Sequence, residues 1–409
     1  MLDFLRRRRI YLDNASATPV LSEVVRAMHS EEAFANPGAI HADGVSAKRM
    51  LEEARKTIAA ELGRKPRQVV FTSGLTESNN LAILGFARKL VLAGTPLEST
   101  HWIVSAIEHD SVLECFAEIE RLGGVVSHAD PDAKGIVTPE KIQRLLRPET
   151  VFVSVGWANN EIGVIQPLRA IAHLLSSGKT AARIVFHSDA GQGPLYLFPH
   201  VHTLGVDLFS LGAGKLYGPR GVGALYVNDK TLIAPTMLGG SQEGGLRAGT
   251  EEPVLAAGFA RAFETISKER NGEAIRLSRL RDSLARELSA RIEGLVINGD
   301  LKQALPHMLN ISVPNISSEY LVLGLDHEGI SISTKSACRE GEQFSHVVEA
   351  LGQAKNPASS KIMTKEERAK NTLRFSLGRD TAASDIIRTV KALERVTRRT
   401  AVFAESRIK

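Results

Sequence analysis

Cysteine is nearly absent. Cys115 and Cys338 are the only two in 409 residues, too few for a disulfide framework. No apolar run approaches the length of a membrane span. Concentrated charge is missing as well. The net charge is +5, but Arg6–Arg9 is the one uninterrupted basic run, with looser groups near Lys365–Lys370 and Arg395–Arg399. Without interleaved aromatics or zinc-ligand spacing, this reads as solvated basic termini and not as a nucleic-acid surface. There are no internal repeats. Met1–Arg9 carries charge but no apolar stretch, unlike a secretory signal, so the expected location is the cytoplasm.

What remains is ordinary soluble composition, 43% hydrophobic and 24% charged, on a chain long enough for two domains. From about residue 45 to 260, short apolar runs alternate with amphipathic stretches. Val69–Thr72, Trp102–Ser105, Val151–Val155, Ile184–His187, Leu208–Leu211 and Gly223–Val227 read as strands. Ser46–Leu62, Ser78–Leu92, Ser111–Leu122, Thr138–Leu146 and Leu168–Ser176 read as helices. This alternation predicts an α/β fold, a mostly parallel sheet covered on both faces, with chemistry in the loops beyond strand ends. From Glu264 to about Ile292 the pattern becomes one long charged helix leading to a smaller α+β region.

Within that frame, Lys215 lies in a glycine-rich turn, Gly212-Ala-Gly-Lys-Leu-Tyr-Gly218, and Asp189 closes a strand-like run. A lysine to hold an aldehyde and a carboxylate to pair a pyridinium nitrogen are what pyridoxal phosphate (PLP) chemistry requires. Taken alone, a loop lysine is more often solvated surface. Ser73-Gly-Leu-Thr76, between a strand and a helix, suits a phosphate dianion, although Thr76 or Ser78 could equally be an ordinary helix cap. Cys115 shares one helical face with Val112, Phe116 and Ile119 and reads as core. Cys338 sits among Ser, Thr, Lys, Arg and Glu, where nothing apolar explains it.

The motifs Tyr11-Leu-Asp-Asn-Ala-Ser-Ala-Thr-Pro19, Phe71–Asn80, Glu108-His109, Asn159–Gln166, His187–Gln192, Gly245–Thr250, Ser336-Ala-Cys338 and Leu373–Gly378 run through nearly the whole chain. Together they resemble the cysteine desulfurases, PLP enzymes of the class-V aminotransferase type. The resemblance implies the fold type I of PLP-dependent transferases, with a large domain over residues 15–262. The smaller domain would take 1–14 and 263–409, including a cysteine-bearing loop at about 333–346 and a polar surface insertion at about 353–371. Because the resemblance begins at Tyr11, no transit peptide is expected. Leu75 and Thr76 would bind the cofactor phosphate, and Thr250 would reach the phosphate held by the other subunit of a homodimer. Lys215 would hold the aldehyde, Asp189 the ring nitrogen and Gln192 the ring hydroxyl, while His109 would stack on the ring and move protons. Arg374 would grip the α-carboxylate of L-cysteine. Asn159 would be a second contact, and Asn36 a weaker one rivalled by an Asn-Pro turn. Cys338 would take the sulfur as a persulfide, with Lys335 and Arg339 lowering its pKa, and pass it to an iron–sulfur scaffold or a sulfur-relay protein serving tRNA thiolation.

Three departures from the family's usual pattern stand out. Gly212 and Gly214 stand where relatives carry a serine and a histidine touching the phosphate, Lys335 replaces a small residue, and Arg339-Glu-Gly341 replaces small hydroxyl residues. Two other readings are therefore carried. One is a selenocysteine lyase or related PLP lyase in which Cys338 is dispensable. The other is a non-catalytic protein that keeps the fold.

Overall fold

The computed structural model describes residues 8–29, 34–177, 183–334, 344–355 and 362–406, with side chains described except at 355 and from 400 on. After a two-residue strand, β1 (Ile10–Tyr11), a seven-stranded sheet is formed by β2 (Val69–Thr72), β3 (His101–Ser105), β4 (Val125–Ala129), β5 (Thr150–Ser154), β6 (Val185–Asp189), β7 (Leu208–Gly212) and β8 (Gly223–Val227). The spatial order is β2-β8-β7-β6-β5-β3-β4. Every pairing is parallel except the two made by β8, which runs against both β7 and β2. The β7–β8 connection, Ala213–Val222, is too short for the crossover that a parallel neighbour needs, so the chain turns back. Lys215 sits in that turn.

Helices cover both faces, as the alternation predicted. Leu81, Ile83, Val112, Cys115, Phe116 and Ile119 pack with Trp102 and Phe152 on one side. Leu51, Ile58, Ile171, Phe259 and Phe263 pack with Phe186 and Phe209 on the other. The helices begin earlier than their apolar periodicity suggests, at Ala42 and Leu75 instead of Ser46 and Ser78. The long helix spans Pro253–Arg291.

Beyond it, β9 (Val296–Ile297), β10 (Met308–Ser312) and β14 (Thr372–Ser376) form a three-stranded antiparallel sheet in the order β14-β10-β9. β11 (Ile330–Ser331) pairs in parallel with β1, and β12 (Ala354–Lys355) pairs with β13 (Ile362–Met363). The 353–371 segment is therefore not a purely surface insertion. It carries β12 and β13, and Arg368 is buried, donating to Asn298 Oδ1 (2.7 Å) and the Gly352 carbonyl (3.0 Å). Among the described residues, no helix is long and apolar enough to cross a membrane.

Candidate active site

The parallel strands end on one edge of the sheet, and the loops leaving those ends enclose a cavity of about 220 Å³ lined by Thr76, His109, Asp189, Gln192, Lys215 and Arg374, among others. β2 delivers the first wall. After Thr72 the chain passes through Gly74 at φ 155°, ψ −177°, a conformation essentially reserved for glycine, and enters the Leu75–Leu92 helix. The first-turn N–H groups and the positive end of that helix are a natural anion seat. The turn is braced because Ser73 N–H donates to Glu77 Oε2 (2.6 Å) while Arg247 Nε donates to Glu77 Oε1 (3.0 Å). These bonds hold Glu77 below the usual carboxylate range against the opposing, larger effect of burial.

His109, just beyond β3, caps the Asp110–Arg121 helix: its Nδ1 accepts the Ser111 N–H at 3.1 Å. The neutral ring therefore carries its proton on Nε2. The cap and the cavity wall are roles of one side chain, so the choice between structure and function at this histidine is not exclusive. Asp189, at the end of β6, accepts from Asn79 Nδ2 (2.7 Å) and Gly191 N–H (2.8 Å). A Cβ at Gly191 would lie 2.5 Å from Leu75 Cδ2, so a larger residue there would push that side chain aside.

The segment Asp13–Thr18 organises the other side. Lys215 Nζ donates to the carbonyls of Ala15 (2.8 Å) and Ser16 (2.7 Å). Gln192 Nε2 also donates to the Ala15 carbonyl (3.0 Å). Thr18 Oγ1 donates to the Gly214 carbonyl and accepts from Tyr217 N–H (2.7 Å), which steadies the turn where Tyr217 adopts φ 59°. Arg374, on β14 and 1% exposed, donates to Asp13 Oδ1 (2.8 Å), Ser16 Oγ (2.6 Å) and the Asn160 carbonyl (2.9 Å).

Two polar atoms in this wall are buried without a hydrogen-bond partner: Gln192 Oε1 and Arg374 Nε. Orphans of this kind cost about 1–3 kcal/mol each and mark where a ligand's complementary groups belong. An acceptor by Asp189, a donor on a buried guanidinium, a lysine and a helix N-terminus together fit PLP with an amino acid. Glycerol-sized neutral molecules would leave the charged groups unanswered.

Asn159 lines the cavity, but its side chain is largely committed. Nδ2 donates to the Ile107 carbonyl (2.8 Å), and Oδ1 accepts from the N–H groups of Glu161 and Ile162 (both 2.9 Å). Asn36 is not brought to the cavity. It is exposed, and its Oδ1 accepts Gly38 N–H at 2.8 Å, closing the Asn-Pro turn; a proline next in sequence favours that turn over reach into the site. Thr250 is exposed and stands outside the cavity wall. Cys338, with Lys335 and Arg339, lies outside the described residues. Asp13, Ser16, Asn79 and Glu108 are the participants that residue pattern alone did not single out. Each lies inside a quoted motif, but nothing in its type marks it as buried against the site.

The class-V aminotransferase family profile matches residues 10–388. A cysteine desulfurase IscS of Dictyoglomus turgidum is 39% identical, with 95% of each chain covered. Cysteine desulfurase IscS 1 of Archaeoglobus fulgidus is 38% identical over 95% of this chain and 97% of its own. Among solved structures, a NifS-like protein superposes with a TM-score of 0.84 at 30% identity, covering 95% of this chain and 99% of its own. A protein titled SspA in complex with cysteine superposes at 0.75 and 31% identity, covering 90% and 98%.

Proposed function

We infer roles for the cavity residues from the premise that the chain belongs to the class-V aminotransferases and, among them, to the PLP-dependent cysteine desulfurases. The observation that carries the assignment is the meeting of Lys215, Asp189, His109, Gln192, Arg374 and a helix N-terminus around one cavity. When bound, the cofactor holds the substrate's amino group and takes up the electrons released at its α-carbon.

The residues of the chain do the rest. Leu75 and Thr76 offer backbone N–H groups to the phosphate. Asp189, fixed by two donors, would hold the ring nitrogen, and Gln192 Oε1 would hold the ring hydroxyl. Lys215 would hold the cofactor's aldehyde, and its Nζ would take the proton from the substrate's α-carbon. His109 would lie against the ring and move protons there. Arg374 receives the α-carboxylate, with Nε completing its donor set. Cys338 takes the sulfur. A bond forms between its Sγ and the substrate sulfur, the substrate's Cβ–S bond breaks, and two protons complete L-alanine while Cys338 keeps the persulfide. From there the sulfur passes to a protein acceptor serving iron–sulfur cluster assembly or tRNA thiolation. Thr250, exposed on its own protomer, serves the phosphate site of a second copy in a homodimer. Residues 15–262 act as the cofactor-holding unit, with 1–14 and 263–409 as the smaller one, in line with the pairing of β1 and β11.

The test is alanine formation from L-cysteine by the purified protein supplied with PLP, together with the visible absorbance of the bound cofactor. An absorbance band that L-cysteine does not shift, with no alanine formed, would overturn the reading.

Two further outcomes are expected. Arg374→Lys keeps the charge but loses the two-pronged geometry. The KM for L-cysteine should rise about tenfold, at ~1.4 kcal/mol, with the cofactor spectrum intact. Arg374→Ala should raise it further, and it also strips Asp13 and the Asn160 carbonyl of their partner. Steady-state kinetics separate the two effects.

The glycines before Lys215 differ in what they allow. A Cβ at Gly214 would meet nothing nearer than Arg220 Cγ at 3.4 Å, a side chain able to move, whereas one at Gly212 would meet Leu75 Cβ at 3.0 Å. Gly214→His should therefore tighten PLP about tenfold through a regained charged hydrogen bond. Gly212→Ser should gain less, because it pushes on the phosphate turn. Cofactor loss on dialysis measures both.

A further inference from the structure

Glu108 is the one acid in the cavity wall for which the roles above have no use. It is 4% exposed and stands just beyond β3, where its Oε1 accepts Gly156 N–H at 2.6 Å from the chain leaving β5. The two groups are in close contact: a Cβ at residue 156 would lie 2.9 Å from Glu108 Oε2 and would displace the carboxyl group. The other cavity carboxylate, Asp189, is near enough to act on it electrostatically. Two neighbouring carboxylates in a confined site do not both ionise freely, and their surroundings differ. Asp189 is only partly buried and accepts from two donors, Asn79 Nδ2 and Gly191 N–H. Glu108 is deeper and has the Gly156 N–H with help from Ser105.

We propose that Glu108 is a positioning residue that works as a neutral carboxylic acid, bracing the β3 and β5 loops and adding no second negative charge beside Asp189 in the cavity that would hold the cofactor. Burial, the largest influence, and the Asp189 charge push Glu108 up to about 8, overcoming the downward pull of the Gly156 and Ser105 hydrogen bonds. The other groups around it are His109, next in the chain, Lys215 and Arg374 in the same cavity wall, and His346, whose Nε2 meets the Glu108 backbone carbonyl at 3.1 Å. At neutral pH the cavity then presents one anion to the ring nitrogen. Above about 8 a second appears and the matching is lost. The sign for stability follows: the fold favours the protonated acid, so its contribution declines as pH rises from the ordinary glutamate range through about 8.

Glu108→Gln copies the neutral form, and infrared difference spectra of the two proteins read the proton directly. The expected result is a protonated-carboxyl band in the wild type at pH 7 that is missing from Glu108→Gln and disappears as pH passes about 8. PLP affinity at pH 7 should stay within about twofold of wild type, and Glu108→Gln should gain stability relative to wild type as pH rises through the same window. A carboxylate band for Glu108 at pH 7, or an affinity loss of about tenfold or more in Glu108→Gln, overturns the proposal. The proposal rests on the cavity's holding the cofactor, but the infrared measurement is made on apoprotein and holoprotein alike. A wild type that fails to take up PLP would sink the site assignment, while the apoprotein band still decides the state of Glu108.

Discussion

Lys215→Ala should yield a protein that forms no measurable alanine from L-cysteine, a loss of at least about 10³-fold, and that shows no lysine-dependent cofactor absorbance. Two roles disappear at once, attachment of the aldehyde and removal of the α-proton, and no other lysine lines the cavity among the described residues. The structure also says what a merely structural role would look like. Lys215 Nζ ties down the Ala15 and Ser16 carbonyls, so alanine should cost ~1 kcal/mol for each hydrogen bond. Lys215→Arg separates the two contributions: a guanidinium can restore charge and hydrogen bonds but cannot act as the reactive amine. It should recover stability and remain inactive. Activity in either variant would show that another group carries the cofactor.

The comparison of pattern with structure divides along physical lines. Strands buried on both faces announce themselves, as in Trp102-Ile-Val104 and Leu208–Leu211, because most of their residues are apolar. β4 does not. It lies at the sheet edge with Val125 exposed and only Ala129 fully buried, and Val-Val-Ser-His-Ala offers no apolar run. The early helix starts were hidden for a related reason. Asp43, Gly44, Thr76 and Glu77 lead their helices without apolar periodicity, and Pro253–Phe263 is so uniformly small and apolar that it reads as buried chain before it reads as helix.

The candidate site was legible where function lies in a distinctive side chain. Lys215, Asp189, His109, Gln192, Thr76 and Arg374 all reach one cavity. It was not legible where function lies in backbone or in burial. The carbonyls of Ala15 and Ser16 position Lys215, and any residue type has a carbonyl. Glu108 meets Gly156, distant in sequence and brought near by the pairing of β3 with β5. Asn36 shows the converse. A side chain suited to binding is used by its own turn.

Cys338→Ala should retain the cofactor spectrum and its response to L-cysteine, yet lose alanine formation by at least about 10³-fold. A sulfur-accepting group must be a thiol that ionises near neutral pH, and the chain has only two cysteines. Cys115 is 3% exposed inside the Asp110–Arg121 helix, and its Sγ donates to the Ser111 carbonyl at 3.2 Å. Burial pushes its thiol up to about 12, with the Glu114 charge adding to the effect. It is a packing residue, unable to supply a thiolate at neutral pH or to meet a substrate. Cys115→Ala should therefore leave turnover within about twofold of wild type at some cost in stability, on the order of 1 kcal/mol for the lost packing. Mass spectrometry after single-turnover exposure to L-cysteine should find the added sulfur on Cys338 alone. Undiminished alanine formation by Cys338→Ala would instead assign the chain to the lyases that release their product without a cysteine nucleophile, with the cofactor cavity unchanged. The distinction is decisive because it isolates the sulfur-accepting step from every step that the cavity residues perform.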